Sequence, residues 1–307
     1  MLPPVFTSEP LKIVLDWLQH ALEQHGEARC WVPDPDAGHA LHLYAGEALP
    51  TAGIHRPYLS WLDAADLLDA HFLTPQKGAD ELDSFVLLHF RRRVTPPADR
   101  TEGRYAAGRE FQRIDKLEDP HLLHDLNEAL TRADLKPGAR VLSLGVGSGR
   151  ELALLEQAYP GQTFEVLGLD IEPSALELAR QRFPAQVAGH WRFEQRDVRA
   201  LPDAALGRFD LILALSLFQS PGLVIEDLLR GLRLGQLAAG GSLIVGFPNV
   251  RYRGQTISYG ARMLNFARPD LSLLMRDVVT VRRHLQKHGF TVYVTGKYEV
   301  LVTAVSR

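Results

Sequence analysis

A chain of 307 residues with 46% hydrophobic side chains and a formal charge of −3 is long enough for two domains and apolar enough to bury a core in each, which excludes a disordered protein. Its single cysteine, Cys30, excludes an internal disulfide framework and a cysteine-based zinc cluster, and the near-neutral total excludes a globally basic nucleic-acid binder. The opening MLPPVFTSEP has neither a basic start nor an apolar run, and no stretch approaches the roughly 18 apolar residues of a membrane span, so no membrane association is expected and a reducing, cytoplasmic location is.

The total hides an asymmetry. Residues 1–99 hold 7 Lys and Arg against 14 Asp and Glu, whereas residues 100–307 hold 27 against 23. The acidic part also carries seven of the 12 histidines, at spacings that fit no metal-ligand pattern, so no metal is expected. Leu11, Val14, Leu15, Leu18 and Leu22 fall at helical spacing behind Pro10, which suits a first helical turn. Leu59, Leu62, Leu67 and Leu68 predict a second helix over 58–72, while Ala40–Tyr44 and Ser84–Phe90 read as extended. Together they predict a small α+β domain over residues 1–94. Paired prolines, a glycine and mixed charge without apolar periodicity then mark residues 95–107 as a linker.

From residue 108 onward the rhythm changes. Short apolar runs at Arg140–Leu144, Thr163–Leu169, His190–Gln195, Phe209–Leu215 and Ser242–Phe247 alternate with helical stretches or loops. That alternation predicts a doubly wound, mostly parallel α/β sheet covered by helices on both faces. Phe290–Thr295 and Tyr298–Val305, separated by Gly296-Lys297, read instead as an antiparallel hairpin at the end of the chain.

The densest signal is Val141-Leu142-Ser143-Leu144-Gly145-Val146-Gly147-Ser148-Gly149, a buried strand running into Gly-x-Gly-x-Gly and then a helix over Glu151–Tyr159. Glycines serve where the chain turns tightly off a strand and where a ligand must lie against bare backbone. The following helix offers free N–H groups to an anionic group. The next strand ends in Asp170, 21 residues beyond Gly149, placed to accept hydrogen bonds from ribose hydroxyls. The third strand is followed by Asp197-Val198. Glycines and acids thus gather at one edge of the predicted sheet, where open α/β folds bind ligands.

Over about residues 105–307 this ordered set resembles the class I S-adenosylmethionine-dependent methyltransferases. The resemblance rests on Leu144–Gly149, Leu169–Ile171, Asp197-Val198, Phe209–Leu215, Gly240-Gly241 before a fifth strand, and the terminal hairpin. It implies S-adenosyl-L-methionine as cofactor, with the glycine turn (Gly145, Gly147, Gly149) at its amino-acid part. It further implies Asp170 on the ribose, Ile171 against the adenine, Asp197 with Val198 at the adenine amino group, and Leu215 at the end of the fourth strand. The family usually places an acid two residues before the first glycine; here that residue is Ser143. In many relatives a leading helix lids the cofactor, which would bring Tyr105 or Arg113 to the methionine carboxylate. A nicotinamide-binding fingerprint needs its third glycine one position later, where this chain has Arg150.

The acceptor is less legible. Acceptors in this fold commonly sit beyond the fourth and fifth strands. After the fourth comes Ser216-Leu217-Phe218-Gln219-Ser220-Pro221, where Gln219 could orient an acceptor or cap the next helix. No Asn-Pro-Pro signature of base-directed amino methylation is present. After the fifth comes a long polar connection holding Asn249, Arg251 and Tyr259, further acceptor-site candidates. Arginines 251, 253, 262, 268, 276, 282 and 283 are opposed between 249 and 285 only by Asp270 and Asp277. Arginine's planar fork suits carboxylate or phosphate, so an anionic small-molecule or nucleotide-like acceptor is expected. RNA as acceptor, a non-catalytic cofactor-binding module and a homo-oligomer stay open.

Overall fold

Runs of apolar residues bounded by glycine, proline or aspartate become strands along most of the chain. The computed structural model describes residues 2–50, 53–94, 106, 108, 112, 115–220, 222–248, 272–297 and 299–306. These fall into two compact units, one within residues 1–97 and one within 98–307.

The first unit is α+β. Strands β1 (Glu27–Pro33), β2 (Ala70–Lys77) and β3 (Phe85–Arg92) form an antiparallel sheet in the order β1-β3-β2. Helices α1 (Leu11–His25), α2 (Pro35–Ala40) and α3 (Tyr58–Leu67) accompany it. Val14, Leu18, Cys30, Trp61, Leu88 and Phe90 share one core. Burial there pushes the Cys30 thiol up to about 12, so it stays protonated and packs as a small apolar side chain. Two expectations are corrected. Ala40–Tyr44 is not a strand: α2 ends there in a turn, His42 takes φ 57°, and Leu41 and Tyr44 face solvent. The second helix stops at Leu67, because Ala70 already pairs with Arg92.

The second unit holds a seven-stranded sheet of β4 (Arg140–Leu144), β5 (Glu165–Asp170), β6 (Trp191–Gln195), β7 (Phe209–Leu215), β8 (Leu237–Pro248), β9 (Phe290–Gly296) and β10 (Glu299–Ser306). Its order is β6-β5-β4-β7-β8-β10-β9. Pairing is parallel from β6 to β8, and β10 runs antiparallel to both β8 and β9. Successive residues of one strand serve opposite cores: Leu142 and Leu144 join one cluster with Ile212, Val245 and Val302, and Val141 joins the other with Leu211, Ile244 and Leu301. That period of two, apolar on both faces, is why these strands read as continuous hydrophobic runs.

Helices α4 (Pro120–Ala133), α5 (Ala153–Ala158), α6 (Pro173–Arg182), α7 (Pro184–Ala188), α8 (Ile225–Gly231) and α9 (Ser272–Lys287) complete the unit. Asp119 and Glu172 cap α4 and α6 by accepting from the first free N–H groups, with a proline at the first turn of each, the arrangement expected of helix starts. This is the doubly wound α/β sheet with a terminal antiparallel hairpin of the class I methyltransferase fold, preceded by a small α+β unit. Strand order reverses between β4 and β7. At such a switch point the loops leave in opposite directions and open a crevice at the carboxyl ends of the strands.

Candidate functional site

The crevice is built by the glycine turn. Gly145, Gly147 and Gly149 take φ of 65°, 51° and 71°, the left-handed region that a Cβ disfavours. The N–H groups of Gly145 and Val146 both donate to the Leu169 carbonyl at 2.8 and 3.1 Å, which fastens the turn to the end of β5. Asp170 fastens it again. Its Oδ2 accepts from Gly147 N at 2.8 Å and its Oδ1 from Glu172 N at 2.9 Å. Burial nevertheless pushes the Asp170 carboxyl above its ordinary range, against the pull of those backbone donors.

A cavity of about 320 Å³ opens over this turn. Of the residues expected at a cofactor, Gly145, Gly147, Asp170, Ile171, Asp197, Val198 and Leu215 line it. Ile171 keeps 63% of its surface exposed, a bare apolar face for a flat ring. Asp197 caps a short 3₁₀ turn and is forked by Arg199, whose Nε and Nη2 donate to it at 2.5–3.0 Å. That guanidinium holds the Asp197 carboxyl below its ordinary range.

Other expected residues lie elsewhere. Ser143 is buried in β4 at 2% exposure and is not on the cavity wall. Gly149 sits behind the wall, where a Cβ would come within 3.2 Å of the Phe183 ring. Gln219 is buried close in sequence to the lining residues Leu217 and Ser220, and among the described residues neither atom of its amide finds a hydrogen-bond partner. Tyr105, Arg113, Asn249, Arg251 and Tyr259 lie outside the described residues, as do Arg253, Arg262 and Arg268. Arg276, Arg282 and Arg283 are described, and none lines the cavity; Arg276 pairs with Asp277 at 2.9 Å.

Four charged or polar residues in or against the cavity had no assigned role in the sequence pattern. Lys116, from the 3₁₀ turn before α4, donates to Ser216 Oγ at 2.7 Å and lies 3.4 Å from Glu299 Oε2. Ser216 follows β7 with φ 52° and donates to Glu299 Oε1 at 2.5 Å. Glu299 heads β10 and is only 5% exposed. Glu151, in the turn after Gly149, lines the cavity with Lys116 and Ser216. Desolvation pushes its carboxyl above the ordinary range; Lys116 pulls it down, and Glu299 and Asp170 push it further up. A charged residue heading the apolar strand Val-Leu-Val-Thr-Ala-Val was the one visible sign of Glu299. Among the described residues no group of three His, Cys, Asp or Glu side chains could hold a metal ion, and no helix is long and apolar enough to cross a membrane.

Residues 141–235, from β4 through α8, match the model of a family described as a methyltransferase domain. Over that segment the second unit is similar to a methyltransferase domain, and its sheet has the strand order of the class I fold. Two curated relatives match part of the chain. The magnesium-protoporphyrin O-methyltransferase of Rhodobacter capsulatus is 35% identical over 78 residues, which cover 25% of this chain and 32% of the relative. The trans-aconitate 2-methyltransferase of Methylobacterium nodulans is 40% identical over 74 residues, 24% of this chain and 26% of the relative. The chain therefore spans about a third or less of the length of these two relatives. A solved S-adenosylmethionine-dependent methyltransferase from Aquifex aeolicus shares 22% identity, covering 64% of this chain and 98% of that chain, with a TM-score of 0.43. The methyltransferase domain matched by the family contains the glycine turn, Asp170 and Asp197; Lys116 and Glu299 lie outside the matched segment.

Proposed function

We propose that the methyltransferase domain binds S-adenosylmethionine and transfers its methyl group to a small anionic acceptor. The observation that carries this reading is the single cavity wall shared by the bare backbone of Gly145 and Gly147, the Asp170 carboxylate, the exposed face of Ile171, and Asp197. Asp170 has lone pairs beyond those used by Gly147 and Glu172 for a ribose diol. Ile171 and Val198 would flank an adenine, and Asp197 would accept from its amino group while sharing its charge with Arg199. When bound, the cofactor supplies an activated methyl on a sulfonium. The protein's part is to hold a nucleophile in line with that methyl and to exclude water. The relatives support a small acceptor, because those two are named for a magnesium porphyrin and for trans-aconitate, the latter a carboxylate. The methyltransferase domain is taken to occupy residues 108–307, with residues 1–94 as an accessory domain joined through 95–107.

Titration calorimetry with S-adenosylmethionine and with NAD tests the cofactor. Binding of the first and not the second is expected, with Asp170→Ala weakening it at least about tenfold, since a hydrogen bond to a charged group is typically worth about 1.5–3 kcal/mol. Binding of NAD alone would overturn the reading. The acceptor is found by labelled methyl transfer into a cell extract fractionated into RNA, protein and small molecules. Label in the small-molecule fraction is expected; label in RNA would establish the alternative acceptor, and no label with intact cofactor binding would establish a non-catalytic module.

A further inference from the structure

The acid that the family usually carries before its first glycine is absent, and the residue in its place, Ser143, is buried in β4 away from the cavity wall. The anion at this end of the cavity comes instead from the other side of the glycine turn. Resting on the methyltransferase reading, we propose that Glu151 receives the α-ammonium of S-adenosylmethionine and so fixes the amino-acid end of the cofactor.

Three observations converge on this. Glu151 lines the cavity, and among the described residues no side chain hydrogen-bonds to it; its own backbone N–H is the one hydrogen bond it receives. Glu151 is partly buried, and a carboxylate on a desolvated cavity wall is favoured by an opposite charge and by donors for its lone pairs. Second, the cation within electrostatic reach is already engaged, because Lys116 donates to Ser216 and pairs with Glu299. Glu151 and Glu299 thus share the charge of one ammonium, and Asp170 adds a further negative charge. Arg150, the preceding residue and also on the cavity wall, pairs with Asp115 at 3.6 Å and donates to the Gln112 carbonyl. This end of the cavity therefore calls for a cationic ligand group.

Third, the cofactor carries two cations, and only one suits this place. An ammonium brings three N–H donors, whereas a sulfonium has none, so only the ammonium meets the carboxylate's need for hydrogen bonds as well as charge. A carboxylate set against the sulfonium methyl would also stand as a competing nucleophile. Glu151 next to the glycine turn would keep its charge at the amino-acid end of the cofactor.

Calorimetry on the full chain and on Glu151→Gln tests this with three ligands: S-adenosylmethionine, S-adenosylhomocysteine, which keeps the ammonium but lacks the sulfonium, and 5′-deoxy-5′-methylthioadenosine, which lacks both. The variant is expected to bind the first two about tenfold more weakly, about 1.4 kcal/mol, and the third as the wild type does. No change with any ligand overturns the proposal. So does a loss confined to S-adenosylmethionine, which would place the sulfonium at Glu151, or an equal loss with all three, which would mean a distorted cavity. A wild-type chain that binds none of the three overturns the methyltransferase reading itself, and is told apart because the failure precedes any variant.

Discussion

Glu151 keeps a titratable charge in a place that disfavours it, and the sign of that cost can be read from solution behaviour. Its folded carboxyl titrates above the unfolded value because desolvation outweighs the pull of Lys116. The folded state therefore holds the proton more tightly than the unfolded one, and stability from this group is greatest at low pH and falls as pH rises through the raised value. Glu151→Gln carries no such charge. In the absence of ligand it should melt no lower than wild type at pH 7.5, and the difference between the two should shrink as the pH is lowered. A variant that melts well below wild type at pH 7.5 would show that the ionised carboxylate stabilises the apo fold. Residue by residue, the sequence exposed those positions whose chemistry is local. Gly145 and Gly147 are glycine because the backbone there has positive φ, and Asp170 stands beside them because it ends β5, the parallel neighbour of β4. Lys116, Ser216 and Glu299 left little mark, since Lys116 and Glu299 are 183 positions apart and meet only after the sheet has chosen its order.

The elements show what their side chains reveal and conceal. Strands β4 and β7 were found to the residue because both their faces are apolar. In β1, by contrast, the inward residues include Ala28 and Cys30, small side chains whose alternation gives little contrast. β2 carries Pro75, and its pairing shifts between Leu73 and Gln76, which breaks the period of two. β8 begins at Leu237, five residues before the apolar run that marks it. Its pairing with β7 jumps between Phe209 and Leu211, alongside Gly240 at φ 81°, so the irregular start hides a strand that is nonetheless continuous. Gly149 joins two elements. A side chain there would strain φ 71° and press within 3.2 Å of Phe183 and 3.4 Å of the Ala179 methyl on α6. Gly149→Ala should cost about 1–2 kcal/mol from the backbone alone, read as a lower denaturant midpoint at unchanged slope. Wild-type stability would mean that the turn relaxes to accept a Cβ.

For the whole molecule, the charge that sums to −3 is unevenly divided, and so is the packing. The first unit has its own core around Trp61, Leu88 and Phe90. Residues 1–97 expressed alone should therefore melt cooperatively and keep a near-ultraviolet circular dichroism signal from their tryptophans. A flat, non-cooperative trace would show that this core needs the rest of the chain. The fold class of the second unit was legible because alternating strands and helices admit few topologies. The acceptor was not, because the long segment after β8 has no period to fix it.

The hairpin that closes the sheet also sets an order of events. β10 lies between β8 and β9 and brings Glu299 to Lys116 and Ser216. A ribosome making this chain releases the glycine turn and Asp170 well over a hundred residues before that strand. Until residue 306 has left the exit tunnel, β8 has an open edge and Lys116 has no Glu299 to pair with. The nascent domain can therefore fold its glycine turn during synthesis, but it acquires the full sheet and the Lys116–Glu299 pair only after β10 has been inserted.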